Sequence, residues 1–432
     1  MAFINLENKV LKSNKNVLLY NGKSVEPINF DNGATTPPLI ASIKSIKRFM
    51  PYYGSVGRGK GFNSFFTTEI FNDSRNEILS FFDVEDRDNY DIIYVKNATE
   101  GLNLLANNLV SSEEDIVITT RMEHHSNDLP WRYSKAKVKY VDIDKSGRIN
   151  LNHLESLLND HLGKVKIISI TGASNVTGYI NDIYYISNLA HKYGAKTIVD
   201  GAQLVPHKKV FLNKRGKNID FLVFSAHKIY APYGIGVIVL KKDYLNHKAP
   251  LIKGGGTILY VGDNDEAWAP YHEAHEGGTP NVLGVVGLVG ALREINRIGF
   301  DVFEEREEKL KIHLINSLRM IKDIKVYTDN DFNNKLAIAS FNVNNYYHEE
   351  IGDLLSKYRG ISVRSGCFCA HPYVRRLLDI SEKEAKEFLY NPKKLKPGMV
   401  RVSCGFYNTL EEIDELLNTL EIIINIKRKI IY

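Results

Sequence analysis

The stretch from Thr197 to Lys228, TIVDGAQLVPHKKVFLNKRGKNIDFLVFSAHK, constrains the fold more than any other part of the chain. It opens on Thr197-Ile198-Val199, a short apolar β-branched run that reads as a buried parallel strand. That strand ends on Asp200, and Gly201-Ala202-Gln203 follow as a tight turn. A second apolar run, Phe221-Leu222-Val223-Phe224, ends on Ser225-Ala226-His227-Lys228. Two strand ends therefore deliver an acid, an amide, a hydroxyl, an imidazole and an amine to one edge of a sheet. Open α/β sheets bind their ligands at that carboxyl edge.

Pyridoxal 5'-phosphate asks a protein for a lysine that forms a Schiff base and a carboxylate for its pyridinium nitrogen. Lys228 and Asp200 supply both. Taken singly, Asp200 could be an ordinary strand-end acid and Lys228 a surface amine; the combined pattern argues against that. The segment resembles the class V aminotransferase family of fold type I pyridoxal phosphate enzymes, and the cysteine desulfurases within it. The resemblance implies that Asp200 holds the pyridine nitrogen and Gln203 meets the 3-hydroxyl. It also implies that Ser225 and His227 bind the phosphate and Lys228 carries the cofactor.

Bulk properties fit such a protein. The chain has 432 residues, 44% hydrophobic and 25% charged, enough for one large domain and a smaller one. Its net charge of +5 is spread along the chain and gives no argument for nucleic acid. The opening MAFINLENKVLKSNKNV is broken by charges and lacks the apolar core of a signal peptide. No run approaches the ~18–20 apolar residues of a membrane helix. Three cysteines, Cys367, Cys369 and Cys404, are too few for a disulfide framework. The expectation is a cytoplasmic protein in a reducing compartment, with neither membrane nor nucleic acid as partner and no metal.

Further motifs fall in the order of the same family. Phe30-Asp31-Asn32-Gly33-Ala34-Thr35-Thr36-Pro37-Pro38 is a loop before a helix near Leu39 and resembles a motif at the substrate entrance. The basic glycine loop from Gly54 to Gly61 lacks a P-loop's Lys-Ser/Thr ending; its resemblance puts Arg58 at the mouth of the site. The next helix is expected over Thr67 to Phe82. The strand Ile92-Ile93-Tyr94-Val95 runs into Lys96-Asn97-Ala98-Thr99-Glu100-Gly101 and a helix from about Leu102. Backbone N–H groups at a helix start attract anions, and the resemblance gives Ala98 and Thr99 to the phosphate. A Thr N-cap reads the same residues without a ligand. Met122-Glu123-His124-His125-Ser126-Asn127 suggests no metal pair, since neighbouring residues rarely face one ion. By resemblance His124 stacks on the cofactor ring and moves protons, while Trp131 packs. Ser174-Asn175-Val176-Thr177-Gly178 brings Asn175 to the cofactor and substrate.

Tyr230-Ala231-Pro232-Tyr233-Gly234-Ile235-Gly236 and Gly254-Gly255-Gly256-Thr257 continue the resemblance. In His275-Glu276-Gly277-Gly278-Thr279-Pro280-Asn281 it implies that Thr279 reaches the phosphate of the other subunit of a homodimer with shared sites. Arg364-Ser365-Gly366-Cys367-Phe368-Cys369-Ala370 resembles the R-x-G-H-H-C-A segment of Suf-type (group II) desulfurases, whose cysteine is the nucleophile; register assigns Cys369. Cys367-Phe368 replaces the two histidines, and the G-C-F-C form resembles molybdenum-cofactor sulfurases. An extended segment would put Cys367 and Cys369 on one face. Arg401, in Met399-Val400-Arg401-Val402-Ser403, matches the arginine that binds the substrate carboxylate, with Arg364 and Arg58 nearby.

The expected fold is α/β, fold type I. A large domain (26–285) has a mainly parallel seven-stranded sheet flanked by helices. A smaller α+β C-terminal domain (286–432) carries the cysteine loop, and a segment (1–25) packs on it. The expected function is a cysteine desulfurase: L-cysteine becomes L-alanine, and the sulfur stays on Cys369 as a persulfide for an acceptor protein or thiol. A selenocysteine lyase, or an aminotransfer or epimerisation reaction of the same family, is the alternative, with a non-enzymatic persulfide carrier or scaffold behind it.

Overall fold

The computed structural model describes residues 5–13, 15–214, 216–245, 248–391 and 395–431. Residues 1–4 of the N-terminal segment and 392–394 of the polar stretch after Ser381 lie outside them, as do the side chains of the basic tail beyond 426.

Helices α1 (Ile40–Phe49) and α2 (Phe62–Phe81) precede the main sheet. Helix α2 starts at Phe62 rather than Thr67. Gly61, at φ +97°, ends the glycine loop abruptly, and the Phe62 and Phe66 rings stack at 5.9 Å on one face of the new helix. The sheet is built from β1 (Tyr90–Val95), β2 (Ile116–Thr120), β3 (Lys137–Val141), β4 (Val165–Thr171), β5 (Lys196–Asp200), β6 (Phe221–Ser225) and β7 (Gly236–Lys241). Helices α3 (Ala98–Leu109), α4 (His125–Arg132), α5 (Leu151–Asp160) and α6 (Ile183–Lys192) connect the strands. Strand order is β1-β7-β6-β5-β4-β2-β3. Only β7 runs against the others.

Both faces of this sheet are covered, so its strands are apolar throughout. Period-two alternation still sorts the side chains. Tyr94, Ile168, Val199, Leu222 and Phe224 join one buried cluster. Ile93, Ile167, Ile198, Phe221 and Val223 join another, under α3. The register pairs Val223 with Asp200, so the ends of β5 and β6 emerge side by side.

A short hairpin, β8 (Ile258–Val261) and β9 (Glu266–Trp268), follows, then α7 (Val282–Ile298) and α8 (Phe300–Met320). Helix α7 runs through the expected division after 285, and its buried residues pack in the first core, with Phe300 and Phe303 of α8. A second core gathers Ile28 and Phe30 with residues from Leu310 onward. It packs α8, α9 (His348–Arg359) and α12 (Leu410–Ile431) on an antiparallel sheet. That sheet comprises β10 (Ile324–Val326), β11 (Ile338–Val343), β12 (Arg364–Gly366) and β13 (Met399–Ser403) in the order β10-β11-β13-β12. Helices α10 (His371–Leu377) and α11 (Glu382–Tyr390) lie between β12 and β13. Leu6 and Val10 of the N-terminal segment pack in the first core, while Tyr20 meets Tyr358 of α9.

The loop from Phe30 to Thr36 joins the two cores. Ser403 N–H donates to Phe30 O at 2.7 Å, Gly33 N–H to Ser403 Oγ at 2.8 Å, and Thr36 N–H to His227 O at 3.0 Å. Among the described residues, no helix is long and apolar enough to cross a membrane.

Candidate active site

The carboxyl ends of the parallel strands, the starts of α3 and α4, and strands β12 and β13 at Arg364 and Arg401 enclose a cavity of about 290 Å³. Ala98, Thr99, His124, Asn175, Asp200, Gln203, Ser225, His227, Lys228, Arg364, Cys369 and Arg401 all line it.

Asp200 closes β5. Its buried carboxylate accepts the Ala202 N–H at 3.0 Å. Burial raises its pKa, against the pull of that bond and of the Lys228 charge. Lys228 opens onto the cavity from the turn after β6. Desolvation draws its amine down to about 8 although Asp200 favours the cation, and Arg401 opposes a second charge nearby. The backbone of this turn is tied to the joining loop, with Thr35 Oγ1 and Thr36 Oγ1 donating to His227 O at 3.1 and 3.2 Å. The His227 ring stacks on Tyr233 at 5.5 Å. Its Nδ1 is buried without a hydrogen-bond partner among the described residues. Burial first, then Lys228, pushes this imidazole down to about 4.

Helix α3 begins at Ala98, not Leu102, because Asn97 caps it: Asn97 Oδ1 accepts the Glu100 N–H at 3.0 Å. The cap is therefore Asn97 rather than Thr99. The Ala98 N–H donates to Ser225 Oγ at 2.8 Å, which locks the two expected phosphate ligands to each other. Thr99 Oγ1 and Ser126 Oγ lie 2.7 Å apart at the same corner.

His124 is the N-cap of α4, and its Nδ1 accepts the Ser126 N–H at 3.1 Å. Desolvation, then the charges of Lys228, His125 and Arg401, push its pKa down to about 3. The ring is neutral at ordinary pH, so the expected proton shuttle is limited to the neutral imidazole. Beneath it, buried Glu123 accepts from Thr120 Oγ1 at 2.6 Å and Asn127 Nδ2 at 2.7 Å. Asn127 Oδ1 in turn accepts the indole N–H of fully buried Trp131 at 3.3 Å.

Arg364 and Arg401 face each other directly across β12 and β13. Two like charges at such a pair are unfavourable, and Asp31 stands between them. Its carboxylate accepts from Arg401 Nη2 at 3.0 Å and from Arg364 Nε and Nη2 at 3.2 and 2.7 Å. Arg401 Nη1 donates to Asn175 O at 2.9 Å, and Arg401 Nε is buried with no partner among the described residues. Burial brings the guanidinium down to about 10, with Asp31 opposing. Gly33 permits this approach, since a Cβ there would come within 3.1 Å of Arg401 Cζ. Asp31 has no role in the sequence reading; its position in the Phe30–Pro38 motif, ahead of two distant arginines, was the available signal.

The cysteine segment is not extended. Ala370 N–H donates to Cys367 O at 2.8 Å, and Phe368 and Cys369 have φ of 52° and 54°. Two left-handed residues in succession make a type I′ turn, which reverses the chain. Cys369 is exposed and lines the cavity. Cys367 is half-buried, its thiol donates to Pro397 O at 3.1 Å, and burial, then the Cys369 charge, pushes its pKa up to about 11. Cys404 is buried in the second core.

Two expected residues are not at the cavity. Arg58 lies exposed on the loop between α1 and α2, so its expected place at the mouth is not met within one chain. Thr279 is exposed beside a different cleft. Its loop is held by Glu276, which accepts from Arg75 at 2.6 Å and from the Tyr94 N–H at 2.7 Å on the edge strand β1.

The donor set suits pyridoxal 5'-phosphate. A buried acid awaits a cationic ring nitrogen, a desolvated amine awaits a carbonyl, and an unpartnered imidazole nitrogen and a helix start await an anion.

Comparison with known proteins is consistent with this reading. The family model described as Aminotransferase class-V matches residues 28–416. The chain is 32% identical over 377 residues to a cysteine desulfurase of Shigella sonnei, covering 85% of this chain and 86% of that one. It is 32% identical over 402 residues to a probable cysteine desulfurase of Halalkalibacterium halodurans, covering 91% and 92%. Its fold is similar to the apo structure of a cysteine desulfurase from Thermococcus onnurineus (TM-score 0.81, 29% identity, 92% and 95% covered). A cysteine desulfurase of Escherichia coli in S-sulfonic acid form gives a TM-score of 0.79 at 25% identity, with 93% and 95% covered.

Proposed function

Because the chain belongs to the aminotransferase class-V family, we propose that it is a pyridoxal 5'-phosphate-dependent cysteine desulfurase that turns L-cysteine into L-alanine. The observation that carries the reading is one cavity lined by the Lys228 amine, the Arg401 guanidinium and the exposed Cys369 thiol.

When bound, the cofactor supplies an electrophilic carbonyl for amines and a ring that draws electron density from the substrate α-carbon. Lys228 holds it, and the lowered pKa leaves this amine neutral often enough near pH 8 to act as nucleophile and then as base for the α-proton. Asp200 would hold the ring nitrogen, and Gln203, Asn175 and neutral His124 would contact the ring. Ala98, Thr99, Ser225 and His227 would hold the phosphate. Arg401 takes the substrate carboxylate, which its fork can bind in a fixed plane. Arg364, paired with Asp31, brings a second guanidinium to the cavity that Cys369 lines. The Cys369 thiolate attacks the substrate sulfur. An S–S bond forms, the C–S bond breaks, and its electron pair stays on carbon, which a proton converts to alanine. Cysteine plus thiol thus gives alanine plus persulfide, with no external oxidant. An acceptor thiol or protein then removes the outer sulfur. The active unit is a homodimer in which Thr279 serves the other subunit's site, and the protein works in the cytoplasm, a reading that its three free cysteines support.

The test is steady-state alanine and sulfide release from L-cysteine by the holo-protein with a thiol reductant, beside Lys228→Ala and Cys369→Ser. Wild type should make both products and the variants neither. Holo-protein that makes no alanine overturns the reading, and a much higher kcat/KM on selenocysteine reassigns the substrate.

A further inference from the structure

His125, the second histidine of the Met122–Asn127 motif, has no part in the chemistry above. We propose that His125 is a positioning residue that fixes Cys369 against the cavity; the inference rests on the desulfurase reading of Cys369. His125 is the first residue of α4, next to His124, which lines the cavity. Its backbone N–H donates to Cys369 O at 2.7 Å, and its Nε2 accepts the N–H of His371 at 3.2 Å. One residue of the large sheet's edge thus grips the cysteine segment at Cys369 and again two positions later. The His125 and His371 rings also meet edge to face, with centroids 4.7 Å apart at 89°.

The turn needs that grip. Phe368 and Cys369 both hold φ near +50°, which residues with side chains keep only where their surroundings enforce it. The turn's own bond, Ala370 N–H to Cys367 O, spans it from within. The bonds that tie it to the first core are Asn175 Nδ2 to Phe368 O at 2.7 Å and the two made by His125. Since Nε2 is the acceptor, the ring proton sits on Nδ1. Burial and the neighbouring His371 lower the pKa of the imidazole, which favours the neutral form that can accept. The start of α4 therefore registers two groups to each other: the His124 ring in the cavity and the Cys369 thiol. Without the Nε2 acceptor, the segment keeps the backbone bond at Cys369 and loses its hold at His371. The thiol then occupies its attack position for less of the time, while the Arg401 fork that binds substrate is untouched.

The experiment uses holo-protein carrying His125→Leu, His125→Asn or His125→Gln. Gln Oε1 stands at the reach of Nε2, whereas Asn Oδ1 stands at that of Nδ1. Single-turnover alanine formation at saturating L-cysteine, the KM for cysteine, and the absorbance of bound cofactor are measured for each. His125→Leu and His125→Asn should slow alanine formation by about tenfold or more, since displacements near 1 Å cost up to that order and beyond. Their KM should stay within about twofold and their cofactor absorbance unchanged, and His125→Gln should recover most of the rate. A His125→Leu protein with the wild-type rate overturns the proposal and leaves the desulfurase reading standing. Equal slowing in His125→Gln and His125→Asn also overturns it, and this pair decides if His125→Leu fails to fold. Wild-type protein that makes no alanine overturns both.

Discussion

Ionisation alone should slow the Cys367 thiol toward an aromatic disulfide reagent relative to free cysteine. Cys367 is held at a pKa of about 11 by burial, so roughly one molecule in a thousand carries its thiolate at pH 8. Free cysteine, at ~8.5, is about one quarter ionised there, an advantage of about 250-fold. The more basic thiolate is the better nucleophile. With a Brønsted slope of ~0.4–0.5, the difference of about 2.5 units returns roughly tenfold to Cys367. The net expectation is that Cys367 reacts about twentyfold more slowly than free cysteine before access is counted. Access widens the gap, because Cys367 is half-buried and bonded to Pro397 O while Cys369 is exposed. The assay follows reagent release in the holo-protein and in Cys369→Ser and Cys367→Ser, with the modified site mapped by mass spectrometry. Fast modification should disappear in Cys369→Ser and persist in Cys367→Ser. If Cys367 in the Cys369→Ser protein reacts as fast as free cysteine, the turn geometry that hides it is refuted.

Arg75→Met should strip the counter-ion from Glu276, a buried pair whose breaking typically costs ~3–5 kcal/mol; the thermal midpoint should fall and the 271–281 loop become protease-sensitive, and an unchanged midpoint contradicts this. Mixing Lys228→Ala chains with Thr279→Ala chains should restore activity relative to the Thr279→Ala homodimer, since a heterodimer then holds one site with neither lesion; a fully active monomer in solution rules sharing out. In the cofactor-free protein the stability contributed by His124 and His227 should weaken in acid. His124 and His227 titrate near 3 and 4 when folded against ~6.5 unfolded. The unfolded chain therefore binds more protons below that value. Their contribution is complete above about pH 6.5 and is lost as pH falls toward 4 and then 3. Between pH 7.5 and 5 the urea midpoint of a His124→Gln/His227→Gln protein should therefore lose less, or gain more, than that of wild type, since buried Glu123, raised to about 8, contributes with the opposite sign in both proteins; an equal change in the two contradicts it.

The parts of the site legible in the sequence are those where one strand end fixes a residue type. Asp200, Lys228, Ala98 and His124 each follow an apolar strand directly, so local pattern places them at the sheet edge. Arg401 and Cys369 were reached through family register rather than pattern, because they arrive from the second core. Three features were not legible, the first two for a long-range reason. Asp31 neutralises two arginines more than three hundred positions away, and sequence spacing carries no sign of such a pairing. The type I′ turn at Phe368-Cys369 lacks the Gly or Asn that usually announces it, since contacts from α4 and Asn175 enforce it. Helix α2 starts at Phe62 rather than Thr67 because the positive-φ break at Gly61 ends the glycine loop there.

The central claim is that sulfur leaves L-cysteine and stays on Cys369. It is tested most directly by one turnover of the holo-protein without reductant, followed by alkylation and mass spectrometry. The account predicts one alanine per site and one added sulfur on the peptide carrying Cys369, with alanine lost in Cys369→Ser and mostly kept in Cys367→Ser. Added sulfur on Cys367, or alanine formation abolished in Cys367→Ser and spared in Cys369→Ser, contradicts it.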